Sequence, residues 1–250
     1  MQDFTTLVDE AWNAPFSGWD FAYLKDRYID HPVDWDYTQM AVERLRAAQA
    51  ALDMDTGGGE LFSSMAPFPA LTCATEAYAP NVPIARARLE PMGVRVEQVY
   101  EGQPLPFADQ QFDLVLNRHG YYDPREVMRI LRPGGRLLTQ QVGGRNHMRV
   151  NEMLQDAPIH PYAHWTLASA KDELTRAGFD IFNAAEAFPA VQFMDIGALV
   201  YFLKAISWQV VDFSPETHRA KLAQIDTIIR REGHFTSFEH RFLLEARKPA

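Results

Sequence analysis

Short, nearly continuous apolar runs alternate through the middle of the chain with stretches in which apolar residues recur at helical spacing. The runs suit strands buried on both faces, and the stretches suit helices that pack one side against them. Met40, Ala41, Leu45 and Ala48, with Glu43, Arg44 and Arg46 between them, predict an amphipathic helix over 37–48. A strand over 50–54 follows, then a glycine turn, a short helix over 60–65 and a second strand over 70–75 that ends at Glu76. Pro80 and Pro83 bracket a helix start, residues 84–89 continue it, and Gly93 stops it. Val94, Val96 and Val99 make a third strand ending near Glu101, and 112–116 a fourth. Pro124 opens a helix over 124–131, which Arg132-Pro133-Gly134-Gly135 terminates before a fifth strand over 136–141. Strand and helix in alternation predict a mostly parallel sheet covered on both faces.

The two ends of the chain break this rhythm. Trp12, Phe16, Trp19, Phe21, Tyr23, Trp35 and Tyr37 form an aromatic cluster interrupted by Pro15, Gly18 and Pro32, which reads as short helices and turns. Beyond Gly144 the pattern gives helices over 147–154 and 167–177 and a strand over 179–188. Two further helices, 195–208 and 215–232, precede a last strand over 238–246. The expected organisation is one domain: a helical cap (1–48), a core (49–188), a helical insertion or lid (189–234) and a final strand (235–250).

Composition narrows the class. The 250 residues are 47% hydrophobic and 23% charged, and no apolar run approaches the ~20 residues a membrane helix needs. The first residues lack the basic and apolar segments of a secretory signal, so the expectation is a cytoplasmic protein without membrane association. One cysteine, Cys73, allows neither an intrachain disulfide nor a thiolate metal site, and no metal is expected. A formal net charge of −9 opposes attraction to nucleic acid and favours a small-molecule ligand.

The chemistry gathers at the predicted strand ends. Asp53-Met54-Asp55-Thr56-Gly57-Gly58-Gly59 places three glycines between a strand and a helix, where missing side chains let backbone approach a ligand. The nicotinamide fingerprint needs a further glycine three positions on, where this chain has Phe62. Glu76 ends the second strand, a carboxylate suited to both hydroxyls of a ribose. Glu101 and Gly102 follow the third, and Asn117 closes the fourth. Ligands of open α/β sheets bind outside those carboxyl ends, so the positions converge.

Taken in order, Ala51 to Gly59, Thr75-Glu76, Leu105-Pro106-Phe107-Ala108-Asp109-Gln110-Gln111-Phe112-Asp113-Leu114-Val115 and Leu131-Arg132-Pro133-Gly134-Gly135 resemble the motif series of class I methyltransferases that use S-adenosylmethionine, type 11 branch. That resemblance implies an α/β fold, a seven-stranded, mostly parallel Rossmann-like sheet with its last strand antiparallel, and a helical lid. It implies that Asp53 and the backbone of Gly57, Gly58 and Gly59 hold the methionine end of S-adenosylmethionine, Glu76 the ribose, and Glu101 with Gly102 the adenine side. Asn117 would flank the sulfonium. Where the family has glycine this chain has Asp55, whose carboxylate would attract the cofactor's ammonium or repel its carboxylate.

Methyl transfer needs alignment more than acid or base, so a catalytic motif is not required. His119, in Asn117-Arg118-His119-Gly120-Tyr121-Tyr122, stands where a base could serve the methyl acceptor, and a loop histidine bonded to backbone is the plainer reading. Tyr121, Tyr122, Trp165 and Trp208 are candidates for pocket walls or for core. The expected activity is methyl transfer to a small molecule, the alternatives being a binding protein that does not catalyse, through Asp55, or RNA methylation, which the acidic balance disfavours.

Overall fold

The computed structural model describes residues 2–16, 21–100, 102–158 and 160–250. In chain order the elements are α1 (Phe4–Asn13), β1 (Tyr28–Asp30), α2 (Tyr37–Ala47), β2 (Ala50–Met54), α3 (Glu60–Ser63), β3 (Leu71–Glu76), α4 (Val82–Leu89), β4 (Val94–Gln98), β5 (Phe112–Arg118) and α5 (Pro124–Ile130). They continue with β6 (Leu131–Val142), α6 (Met148–Leu154), α7 (Leu167–Arg176), β7 (Asp180–Ala187), β8 (Ala190–Phe193), α8 (Ile196–Ala205), α9 (Arg219–Glu232), β9 (Phe235–Phe238) and β10 (Arg241–Arg247). The chain divides into two compact units. One comprises Met1–Val33, Gly143–His164 and Ala187–His240, the other Asp34–Val142, Trp165–Glu186 and Arg241–Ala250.

The larger unit is built on a seven-stranded sheet of order β4-β3-β2-β5-β6-β10-β7. β4, β3, β2, β5 and β6 are parallel neighbours, and β10 runs antiparallel to β6. This is the seven-stranded, mostly parallel sheet with its last strand antiparallel that the resemblance implied. The order reverses at β2, so the crevice that such a sheet offers a ligand opens at the carboxyl ends of β2 and β5. Every residue of β2 is buried, as a central parallel strand requires. Two apolar layers flank the sheet, one with Leu52, Phe112, Val115, Leu137 and Phe242, the other with Ala41, Leu45, Phe62, Leu89 and Leu116.

Two of the motif segments are structural. The Asp113 carboxylate accepts from the backbone N–H of Gln49 and Ala50 at 3.1–3.2 Å and so fixes where β2 begins. Arg129 donates to the carbonyls of Phe107 (2.7 Å) and Leu105 (3.0 Å), while Glu126 accepts from Leu105 N–H, which stitches Leu105-Pro106-Phe107 to α5. The segment Arg132–Gly135 does not separate helix from strand as expected. It already lies in β6, with Gly134 at φ 78° and its N–H given to Lys248 at 2.9 Å, because the chain's last residues pair along it.

The smaller unit holds a three-stranded antiparallel sheet, β1-β8-β9, whose short strands the sequence pattern did not reveal. Its core joins Leu7 and Val8 of α1, nearly all of α8, Leu222, Ile225 and Ile229 of α9, and Phe193 and Phe235. Arg27 and Asp195 form a two-point pair at 2.6 and 2.7 Å, and Asp195 also caps α8 through Ala198 N–H. The hydrogen bonds to Asp195, then Tyr23, hold the Arg27 guanidinium firmly charged against the burial that opposes it. The single last strand expected over 238–246 is two strands in two different sheets. Glu239 and His240 break it, their N–H groups going to Pro189 carbonyl and the Asn146 side chain instead of a ladder. Among the described residues no helix is long and apolar enough to cross a membrane.

Candidate functional site

The glycine turn leaves β2 at Met54 and is held to β3 by backbone: Thr56 N–H donates to Thr75 carbonyl at 2.9 Å, and Asp55 N–H reaches the Thr75 hydroxyl at 3.4 Å. Gly59 is required by space as well as by its φ of 79°, because a Cβ there would run into the Leu89 side chain. Gly57, at φ 64°, has nothing within 4 Å of where a Cβ would stand. That open space beside the turn's backbone is what a closely approaching ligand needs.

Three carboxylates converge on this turn. Glu76 is buried, and its two oxygens accept from Gly57 N–H and Tyr78 N–H, each at 2.7 Å. Each oxygen keeps a second lone pair. Asp53, 8% exposed, has its pKa pushed up to about 7, chiefly by burial and further by the negative charges of Asp55 and Glu76, with the Thr56 hydroxyl and Arg118 acting against them. Burial raises Asp55 and Glu76 as well, while N–H donors oppose it: Tyr121 for Asp55, and Tyr78 and Gly57 for Glu76. Asp55 takes a left-handed φ of 54° and lays its side chain against Gly120, where any Cβ would collide with it.

Two shielded hydroxyls stand beside these carboxylates: Thr56, which reaches Asp53, and Tyr37, on the first turn of α2, next to the Asn117 backbone. The Tyr37 phenol is shielded to the point that its pKa lies well above the usual value, through burial first and the Asp53 charge second. Shielded hydroxyls beside a buried carboxylate make ground suited to a polar ligand.

Across the same sheet edge the chemistry changes sign. Asn117 is fully buried in a network: its amide donates to Met54 carbonyl at 3.4 Å, and its oxygen accepts from Thr139 (3.0 Å) and Gln141 (2.6 Å). It therefore ties β2, β5 and β6 together rather than offering a free amide. Next along, His119 takes φ 65° and keeps an exposed edge, while its Nε2 lies 3.0 Å from the Gln140 side-chain nitrogen. Gln140 oxygen accepts from the Trp35 indole at 2.7 Å. The protein packed around the ring, then Arg118 and Arg241, hold the His119 pKa well below its ordinary value.

The expected residues thus divide. The structure brings Asp53, Asp55, Gly57, Gly58, Gly59 and Glu76 to one turn, with Asn117 and His119 on the neighbouring strand end. Gly102 sits exposed in the turn after β4 at φ 73°. Glu101, like Trp19, lies outside the described residues. Of the aromatic candidates, Tyr122 and Trp165 are packed edge to face at 6.3 Å in the core, whereas Tyr121 is 71% exposed. Sequence reasoning missed Tyr37, Trp35, Gln140 and Arg241 as members of this edge. Only position gave a signal, the first two flanking a helix start before β2 and the last two lying in strand-forming runs.

A parallel sheet reversing at β2, with a glycine turn there and a carboxylate ending β3, defines a Rossmann-like methyltransferase fold. Residues 52–139 match the family model described as "Methyltransferase domain", a match that supports the type 11 branch of class I methyltransferases for that segment. The Ubiquinone biosynthesis O-methyltransferase of Ruegeria pomeroyi is 31% identical over 117 residues, covering 43% of this chain and 47% of that protein. Its counterpart from Sinorhizobium medicae is 30% identical over 129 residues, 48% of this chain and 50% of that one. The chain thus spans about half the length of the curated relatives it matches. A crystal structure of a Bacillus halodurans methyltransferase candidate superposes with a TM-score of 0.61 at 22% identity, covering 86% of this chain and 99% of that one, a likeness of fold.

Proposed function

We propose that the chain binds S-adenosylmethionine at the β2 turn and directs methyl transfer to an oxygen of a small molecule. The carrying observation is Glu76, a buried carboxylate bonded to the turn's own Gly57 N–H with lone pairs left over. Two hydroxyls on adjacent ribose carbons would complete it. The Tyr37 and Thr56 hydroxyls fit the polar methionine end, and Asp53 with Asp55 would balance its ammonium and the positive sulfonium. Gly57, Gly58 and Gly59 would let backbone come close to the cofactor, and Gly102 would lie on the adenine side together with Glu101.

When bound, the cofactor supplies an electrophilic methyl on a cationic sulfur. The protein's part is to hold the acceptor in line with it and keep competing water out. Oxygen as the acceptor atom is supported by the names of the curated relatives, both O-methyltransferases. His119, at the end of β5, stands beside the acceptor in this reading.

A second reading, binding without transfer, has Asp55 in its favour, since its side chain fills space against Gly120 that a glycine would leave open. Incubation of the full chain with the cofactor and a panel of phenols and hydroxybenzoates separates the two. Formation of S-adenosylhomocysteine that depends on an added oxygen acceptor and disappears in Glu76→Gln is the expected result. Saturable cofactor binding with no turnover on any acceptor favours the second reading.

A further inference from the structure

At the other end of the edge, three side chains form a directed series. An indole N–H only donates, so the Gln140 group 2.7 Å from Trp35 is the amide oxygen, and the group 3.0 Å from His119 is the amide NH2. An NH2 only donates as well. His119 Nε2 must therefore be the bare, accepting nitrogen, and the ring proton resides on Nδ1. Backbone holds the geometry further, because His119 N–H donates to Gln140 carbonyl at 2.8 Å, and Gln140 itself is 7% exposed.

The Nε2 lone pair, where a proton from an acceptor would go, is thus already engaged. What His119 presents on its open side is a fixed N–H donor. Two guanidinium groups act on the ring: Arg118, the last residue of β5, and Arg241, the first of β10. Both strand ends lie at one edge, since Arg118 aligns with Gln140 and Arg241 with Val142 on β6. A neutral donor at an edge where two guanidinium charges act on it is suited to receive an anion, and the packed surroundings keep the imidazole from adding a third positive charge.

We propose that His119 Nδ1–H, flanked by Arg118 and Arg241 and oriented by Trp35 through Gln140, is a recognition site for a deprotonated oxygen, carboxylate or phenolate, on a small molecule. Identifying that molecule as the methyl acceptor rests on the transfer reading above. The anion site itself does not, and its test contains no cofactor, so failure of one leaves the other standing. In this assignment His119 binds and places the ligand, and Trp35 and Gln140 are positioning residues.

The test uses the full chain with 15N-labelled histidine, the His119 signals being identified by their loss in His119→Asn. Long-range 1H–15N correlation at pH 7.5 is expected to show the Nδ1–H tautomer. Benzoate is expected to shift the His119 signals saturably, whereas benzyl alcohol at equal concentration does not. Gln140→Glu, which replaces the NH2 by an acceptor, is expected to flip the tautomer to Nε2–H and to weaken benzoate about tenfold or more. The first two readings are made on the unaltered chain and stand whether or not the variant folds. An Nε2–H tautomer in the unaltered chain overturns the proposal, as does an equal response to benzoate and benzyl alcohol. So does a folded Gln140→Glu chain that binds benzoate within twofold of the original.

Discussion

The ends of β2 and β3 and the ends of β5 and β10 share one sheet edge and carry opposite chemistry. At the first, Asp53, Asp55 and Glu76 crowd a buried turn; burial raises the pKa of all three, and neighbouring negative charge raises Asp53 and Glu76 further. At the second, Arg118 and Arg241 bracket an imidazole kept neutral. The difference teaches that the edge is organised by charge as well as by shape. Its acidic end suits a cationic sulfonium and ammonium, and its basic end an anionic partner, so a transfer that starts with positive sulfur and an oxygen anion would find each charge opposite its complement.

Substitutions that neutralise one end at a time sharpen this contrast. The largest effect is expected for Glu76→Gln, which loses acceptor capacity at the buried carboxylate: S-adenosylmethionine affinity by calorimetry should fall about 100-fold, or about 2.7 kcal/mol. Gly120→Ala comes next. Its new Cβ meets the Asp55 side chain, so denaturant unfolding should show a loss of about 1–3 kcal/mol. In an Asp55→Gly background the same change should be nearly neutral, and an equal loss there would mean the two residues are not in contact.

Asp53→Asn is expected to act through pH. An unfolded aspartate loses its proton near the ordinary value of 3.8, whereas the folded one keeps it up to about 7. Over that window the folded state binds the extra proton, so this residue makes stability fall as pH rises. The melting temperature of Asp53→Asn relative to the parent should therefore increase between pH 5 and pH 8. Cofactor affinity should rise with pH through about 7 in the parent and stay flat in the variant, because the ionised carboxylate is the form that favours a cation. A flat parent profile would remove Asp53 from the site.

How much of this was legible in sequence followed from how local each determinant is. The bounds of β2, the glycine turn after it and the carboxylate at the end of β3 were readable, because continuous burial, a glycine run and one acidic residue are signals within a few positions. The bulged start of β6 was not, since Arg132–Gly135 is a turn signal by composition and becomes strand only because the chain's end pairs with it. The strands β1, β8 and β9 have three or four residues each, too few to show a period of two. His119 was visible as a position. Its tautomer was not, because it depends on Trp35 and Gln140, residues 105 apart in sequence. Asn117 had the right address, yet the network with Thr139 and Gln141 that engages it came only with packing.

The central claim is that the acidic turn at β2 is a cofactor site, and titration calorimetry of the full chain with S-adenosylmethionine at pH 7.5 tests it most directly. The account predicts one saturable site whose affinity collapses in Glu76→Gln. No saturable binding at millimolar ligand, or equal binding in that variant, would contradict it.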